Sequence, residues 1–193
     1  MYACGGDIPQ LEGERILLRR MRDEDALSML ECWSKEEVRE HSGIPELNSL
    51  EEAVEMIRFL NVLSETEDGL RWGIVDKRND EWIGSCGYNM WQLEGAYRGE
   101  IGCELCSSYW GQGYMSEAIT LLLQYGFKKM GLHRIEALVD PRNERAGRLF
   151  IAQQFQMEGR LRDYRHTVDG FHDVHIYSIL HSDWLLSDKE ISL

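Results

Sequence analysis

The sequence predicts an α/β chain of the α+β kind, with one mixed central sheet of about seven strands flanked by about four helices. Three observations predict it. Short stretches alternate apolar and polar residues with period two, bounded by turn residues. Other stretches repeat apolar residues with a period near 3.6 and carry capping residues at their ends. The order that results is β-α-α-β-β-β-α-β-α-β-β. It combines antiparallel hairpins with at least one crossover that places two strands parallel around a helix. A length of 193 residues, with no internal repeat and no Pro/Gly/Ser linker, makes 1–193 a single domain.

Arg15 to Met21 reads as the first strand. Asp23 can cap a helix bearing Ala26, Leu27, Leu30 and Trp33, with Glu24 and Asp25 in its first turn. His41 to Asn48 reads as loop. Ser49 and Glu52 form a capping box for a helix that aligns Ala53, Met56, Ile57 and Leu60. Leu70 to Asp76 and Glu81 to Trp91 form a hairpin across the turn Lys77–Asp80. Tyr97 to Ser107 is the next strand, followed by a helix over Ser116 to Met130. Lys128 and Lys129 suit that helix's negative end, and Gly131 suits its left-handed cap. His133 to Asp140 is a strand broken by Pro141, and Glu144 to Gln153 is a short helix. Gln156 to Arg165 and Phe171 to Leu180 close the chain as a hairpin turned near Asp169 and Gly170.

The net charge of −13 weighs against binding nucleic acid or anionic membranes, which takes clustered Lys and Arg. It mildly favours a cationic substrate such as an amine. The five cysteines are odd in number and sparse, so a disulfide framework is not expected. Cys103 and Cys106, three apart on a strand, point to opposite faces and have no partner pair at zinc-finger spacing. His166, His172 and His175 read as ordinary sheet positions, so no metal is expected. With no basic leader before an apolar run and no stretch near a span's length, a reduced, cytoplasmic protein is the expectation.

The chemistry concentrates at Trp110-Gly111-Gln112-Gly113-Tyr114-Met115, between a strand and a helix. Gly111 and Gly113 can adopt conformations closed to other residues and let a ligand approach the main chain. The N–H groups of a first helical turn lack internal partners and, with the helix dipole, attract anions. A bare Gly-x-Gly is more often only a tight turn. No Gly-Lys-Ser/Thr follows, which excludes a P-loop, and no Gly-x-Gly-x-x-Gly is present for a dinucleotide.

The context is more specific. The runs Gly99-Glu100-Ile101-Gly102-Cys103-Glu104-Leu105, Tyr109 to Ala118, Asp140 to Ala146, Gln154 to Gly159, Arg162-Asp163-Tyr164, Asp169 to Val174 and Tyr177 to Leu180 appear in order. Together, from about Leu11 to Leu180, the chain resembles the GNAT acetyltransferases, in particular the RimJ/RimL-type branch that acetylates ribosomal-protein N-termini. The resemblance implies a sheet splayed between its fourth and fifth strands, with the pantetheine arm of acetyl-CoA along Leu105, Cys106 and Ser107. It implies a diphosphate on Gln112, Gly113, Tyr114 and Met115, at the helix start before Ser116, with Gly111 shaping the turn. Trp110 and Met115 depart from the family's usual residues there. Asn143 matches a pantetheine contact and can also cap its helix. Arg142, Arg145 and Arg148 offer a partner for the 3′-phosphate.

The implied reaction is transfer of acetyl from acetyl-CoA to a primary amine, by direct attack in a ternary complex. The acceptor is a protein N-terminus, a polyamine or an antibiotic-like amine. Glu100 matches the family's base, and Glu104, four residues on along the same strand, is the second choice on the same face. The hydroxyls many members carry at the positions of Ala146 and Phe150 are missing here. That leaves the general acid unassigned, and leaves open a CoA-binding module with little turnover. Tyr114 is the hydroxyl nearest the cradle in sequence. Trp33 and Trp91, near segment ends, are the tryptophans expected at an acceptor groove. A monomer or homodimer fits equally.

Overall fold

The computed structural model describes residues 2–167 and 169–190. Its eight strands form one sheet. They are β1 (Leu11–Glu12), β2 (Ile16–Arg19), β3 (Leu70–Asp76), β4 (Glu81–Gln92), β5 (Arg98–Leu105), β6 (Arg134–Val139), β7 (Gln156–Thr167) and β8 (Gly170–Leu180). The spatial order is β1-β2-β3-β4-β5-β6-β8-β7. All neighbours are antiparallel except β5 and β6, which run parallel as the crossover requires. The eighth strand is β1, whose two residues pair with Leu17 and Leu18 and are too few to show a period. The sheet is one strand larger than expected for that reason, and the splay falls between the fifth and sixth strands.

That splay is visible in the register. Only Arg98, Gly99 and Glu100 of β5 pair with Arg134, Ile135 and Glu136 of β6. From Ile101 to Leu105 the strand keeps its β4 partners but has no β6 partner. A sheet with a row of unpaired edge groups on one side of a gap offers a binding surface for an extended ligand.

The helices are α1 (Ala26–Trp33), α2 (Glu36–Arg39), α3 (Leu50–Thr66), α4 (Tyr114–Tyr125), α5 (Glu144–Ala152) and α6 (His181–Glu190). Two hydrophobic cores cover the two sheet faces. On one, Trp72, Ile83, Tyr88, Ile101 and Leu105 pack with Ala118, Ile119 and Leu122 of α4. On the other, Met21 and Trp82 pack with Met29 and Trp33 of α1 and Ala53 and Ile57 of α3. Burial on both faces explains why β3 is buried at all seven positions.

Ser49 caps α3 as expected, accepting from Glu52 N at 3.2 Å, and Glu52 returns a bond to Asn48 N at 2.7 Å. Asp23 does not cap α1. Residues Asp23–Asp25 form a 3-10 turn ahead of it, and Asp23 instead binds Arg58. α4 starts at Tyr114, two residues before the expected Ser116. Its continuation, Gly126–Met130, is a π turn ended by Gly131 at φ +70°. The short helix α2 lies in a stretch with no periodic signal. Among the described residues no helix is long and apolar enough to cross a membrane.

The expectation of fully reduced cysteines is overturned. Cys32 of α1 and Cys106, just beyond β5, form a disulfide across a separation of 74 residues. The α1 face packs over the end of β5 in the second core, which brings two distant thiols together with no spacing signal in the chain.

Candidate active site

β5 leads through a 3-10 turn, Ser107–Tyr109, into the glycine turn and α4. Gly111 stands at φ +72° and Gly113 at φ +83°, the left-handed region that disfavours side chains. Gly113 is the residue before the first turn of α4, and no side chain caps that turn. The N–H groups from Tyr114 onward thus meet the site at the positive end of the helix. Arg15 braces the turn from behind. Its Nη1 donates to Gln112 O at 2.8 Å, its Nε to Glu117 Oε2 at 3.1 Å, and its guanidinium lies 4.7 Å from the Tyr114 ring centre. A Cβ on Gly113 would come within 3.1 Å of Arg15 Nη2.

Tyr114 is buried, and its hydroxyl donates to Asp76 Oδ2 at 3.0 Å. Asp76 is wholly buried and also accepts from Arg78. The Arg78 side chain chiefly, against the opposing effect of burial, holds the Asp76 carboxyl down at about 2. The Tyr114 hydroxyl therefore serves the foundation of the turn.

A cavity of about 460 Å³ opens over this turn. Glu104, Leu105, Gly111, Gly113, Tyr114, Met115 and Ser116 line one side, and Asn143 and Arg148 of the α5 region line the other. The structure thus gathers nine of the sequence-predicted residues at one surface. Glu100, Cys106, Ser107 and Gln112 lie outside the lining. Cys106 is tied to Cys32 and its N–H to Ile83 O. Ser107 opens the 3-10 turn, and the Gln112 side chain bonds Ser108 O.

Asn143 caps α5, its Oδ1 accepting from Ala146 N at 3.1 Å, while also lining the cavity. The three arginines divide. Arg142 is committed to Asp140 through two bonds. Arg145 lies 3.2 Å over the Trp110 ring and lines the cavity, its pKa lowered by burial and by Arg148. Arg148 is exposed and pairs with Glu144. Trp110 is itself fixed by donation from Nε1 to Leu105 O at 2.8 Å. Trp33 is buried in the second core and Trp91 packs on Tyr2, and neither lines this cavity.

A smaller cavity, of about 110 Å³, continues through the splay. It shares Ser42, Cys103, Glu104, Asn143 and Ala146 with the first, so the two meet there. It adds His41, Asn89, Asp140, Phe150 and Arg165. Ala146 and Phe150 bring no hydroxyl. Ser42 brings one, and the free Cys103 thiol is pushed up to about 12 by burial and then by Glu104.

Glu100 and Glu104 share a face, as the alternation requires, and polar groups join them, Arg71 and Ser85 buried and Asn89 exposed. Glu104 forms an ion pair with Arg71 and accepts from Ser85 Oγ at 2.9 Å. Arg71 Nη1 donates to Asn89 Oδ1 at 3.1 Å, and Asn89 Nδ2 donates to Glu100 Oε1 at 3.1 Å. Burial opposes the charge of Arg71, but Glu104 outweighs it and the guanidinium pKa is raised. Glu104 lines both cavities. Glu100 lines neither and touches the smaller one through Asn89.

Arg15, Ser42, Arg71 and Asn89 escaped the sequence reading. Arg71 alone had a usable signal, a charge inside an otherwise apolar strand, where it must find a partner. Among the described residues no group of three or more His, Cys, Asp or Glu side chains is placed to hold a metal ion.

A mixed sheet opens beside its parallel pair, with a glycine turn and a helix at the opening. The chain matches the model of the acetyltransferase (GNAT) domain over residues 15–156, and it belongs to that family. It is 39% identical over 171 residues to an uncharacterized N-acetyltransferase of Bacillus licheniformis, covering 89% of this chain and 96% of the relative. It is 25% identical over 195 residues to the ribosomal protein uS5 alanine N-acetyltransferase of Escherichia coli, covering 95% and 98%. Mycobacterium smegmatis RimJ, in complex with CoA-disulfide, shares the fold at a TM-score of 0.83 and 19% identity, covering 92% of this chain and 90% of that one.

Proposed function

We propose that the protein transfers an acetyl group from acetyl-CoA to a primary amine, by direct attack with both substrates bound. The observation that carries this is the pair of cavities meeting at the splay. The larger holds the anion-binding turn, Glu104 lines both, and Asn89 of the smaller one bonds Glu100. The residues fit the donor. Positive-φ glycines leave the main chain open to a diphosphate at the start of α4, with N–H groups of Gly113, Tyr114 and Met115 as donors. Arg145 and Arg148 stand at the cavity's other wall for a further phosphate. When bound, acetyl-CoA supplies an activated acyl group with a good thiolate leaving group.

The chain's part is to hold the amine at the splay and to take its proton. Glu100 accepts that proton through water, because its second oxygen is not used by Asn89. Glu104 is held by Arg71 and Ser85 and keeps the guanidinium charged. Holding both substrates at the junction supplies much of the rate. Ser42 brings a hydroxyl to both linings but donates it to Arg39 O at 3.2 Å, so water protonates the thiolate. A protein N-terminus is the favoured acceptor. It is supported by the acceptor named for the Escherichia coli relative and by the negative charge of this chain, which draws cations.

The test is thiol release from acetyl-CoA with N-terminal peptides, polyamines and aminoglycosides, comparing Glu100→Gln with Glu104→Gln. The proposal expects release above hydrolysis and a loss of about 10²-fold or more in Glu100→Gln. A larger loss in Glu104→Gln than in Glu100→Gln would move the base to the carboxylate that lines both cavities. Release at the hydrolysis rate with every amine would leave a CoA-binding module, the reading favoured by the missing hydroxyls at Ala146 and Phe150.

A further inference from the structure

The geometry points to Arg71 and Asn89 as positioning residues that make the two strand carboxylates unequal, fixing Glu104 in place and aiming Glu100. This rests on the reading of Glu100 as the base. The argument begins with hydrogen-bond chemistry. An arginine has donors and no acceptor. The Asn89 atom facing Arg71 Nη1 at 3.1 Å must therefore be the amide oxygen. That leaves the amide N–H to face Glu100, 3.1 Å away, where only an acceptor is useful. Arg71 thus dictates the orientation of Asn89, and Asn89 holds one oxygen of Glu100 and leaves the other to a second partner.

The backbone is shaped for this contact. The β4–β5 register shifts between Tyr88 and Met90, so Asn89 is the extra residue of a bulge, a device that re-aims a side chain. On β5, across from Gly87, Gly102 lies between Glu100 and Glu104 on the same face. A Cβ there would approach the Asn89 amide to 2.7 Å and Arg71 Nη1 to 3.1 Å. Arg71 is itself only 8% exposed, a buried cation that needs a full set of partners. It finds them in Glu104, Ser85 and Asn89.

Other charged groups bear on Glu100. Across the parallel pair, Glu136 is held by Arg98 and Arg134. His41, Asp140 and Arg165 line the cavity that Asn89 also lines. None of these is bonded to Asn89, so an Asn89 variant leaves their pairings in place.

The experiment measures kcat and KM for the whole chain, with acetyl-CoA and the best amine found, beside the Kd for acetyl-CoA. Asn89→Ala removes the donor that aims Glu100. Its kcat should fall by about tenfold, while the Kd for acetyl-CoA stays the same. Asn89→Asp still accepts from Arg71 but offers Glu100 no donor and adds a like charge beside it, and its loss should be larger. Arg71→Lys keeps a charge for Glu104 but lacks the fork that also reaches Asn89, so its kcat should fall as that of Asn89→Ala does. In a Glu100→Gln background, Asn89→Ala should cost no further activity, because the group it serves is gone. The parent's kcat in both Asn89 variants overturns the inference. So does an equal loss from Asn89→Ala in both backgrounds, which would mark a merely structural role. Wild-type activity in Glu100→Gln alone would instead overturn the assignment of the base, a separable failure.

Discussion

Replacing Gly113 tests the anion-binding turn most directly, because two substitutions there separate backbone strain from charge. Gly113→Asp places a carboxylate where the diphosphate is proposed to lie. At about 4 Å and an effective dielectric near 20, two unit charges interact by about 4 kcal/mol. That is about 10³-fold in affinity. Arg15 reduces it, since its Nη2 would stand 3.1 Å from the new Cβ and could accept the carboxylate as a partner. If Arg15 cancels half, about 2 kcal/mol remains, or about 30-fold. The expected increase in Kd for acetyl-CoA therefore lies between about 30-fold and about 10³-fold. Gly113→Ala keeps the N–H and adds no charge, but must hold φ near +83°. It should cost about 1–2 kcal/mol of stability. At about 2–4 °C per kcal/mol for a chain this size, its Tm should fall by about 2–8 °C with little change in Kd. Calorimetric titration with acetyl-CoA beside thermal melts of all three proteins decides the matter. A folded Gly113→Asp variant that binds acetyl-CoA within about threefold of the parent would refute the reasoning.

The structure supports two further predictions. Asp76 has a folded value of about 2, below the value near 4 expected when unfolded, so its contribution to stability is complete above about pH 4 and is lost as pH falls toward 2. Asp76→Asn should lower the urea midpoint at pH 7 and converge with the parent near pH 2, and a constant difference at both pH values would show that the Asp76 charge is not what stabilises. The disulfide closes a loop of 74 residues, for which chain entropy gives about 4 kcal/mol as an upper figure. Cys106→Ser should therefore lower the Tm by up to about 16 °C under oxidising conditions and have little effect in excess dithiol, where equal Tm values in both conditions would argue against the bond.

Much of the fold was legible because its signals are local. Ser49 and Glu52 announce the start of α3 within four residues, and the apolar spacing of α4 is carried by Ala118, Ile119 and Leu122. The glycine turn was legible for the same reason. Gly111 and Gly113 adopt positive φ at the junction of a strand and a helix, both readable from short windows. Errors came where the signal was short or shared. β1 has two residues, α2 has four, and Asp23 has the same capping chemistry as its neighbours but went to Arg58 on another helix.

The candidate site was legible in outline and not in its connections. Glu100 and Glu104 fall on one face by strand period alone. That Arg71 holds Glu104 while Asn89 bonds Glu100 depends on a bulge in β4 and on the absence of a side chain at Gly102. Likewise Tyr114 could be placed at the cradle, but its hydroxyl went to Asp76, 38 residues away in sequence.

The sequence by itself determined the class of fold, the anion-binding turn and the carboxylate-bearing strand, because backbone conformation and side-chain period are set by neighbours along the chain. The tertiary structure alone decided which groups line the site and which are drawn away from it. It spent Cys106 on Cys32, Arg142 on Asp140 and the Tyr114 hydroxyl on Asp76, and it left Arg145, Ser42 and Asn89 in the cavity walls. Partner choice among polar groups follows from distances across the sheet and between helices, and those distances exist only once the chain has packed.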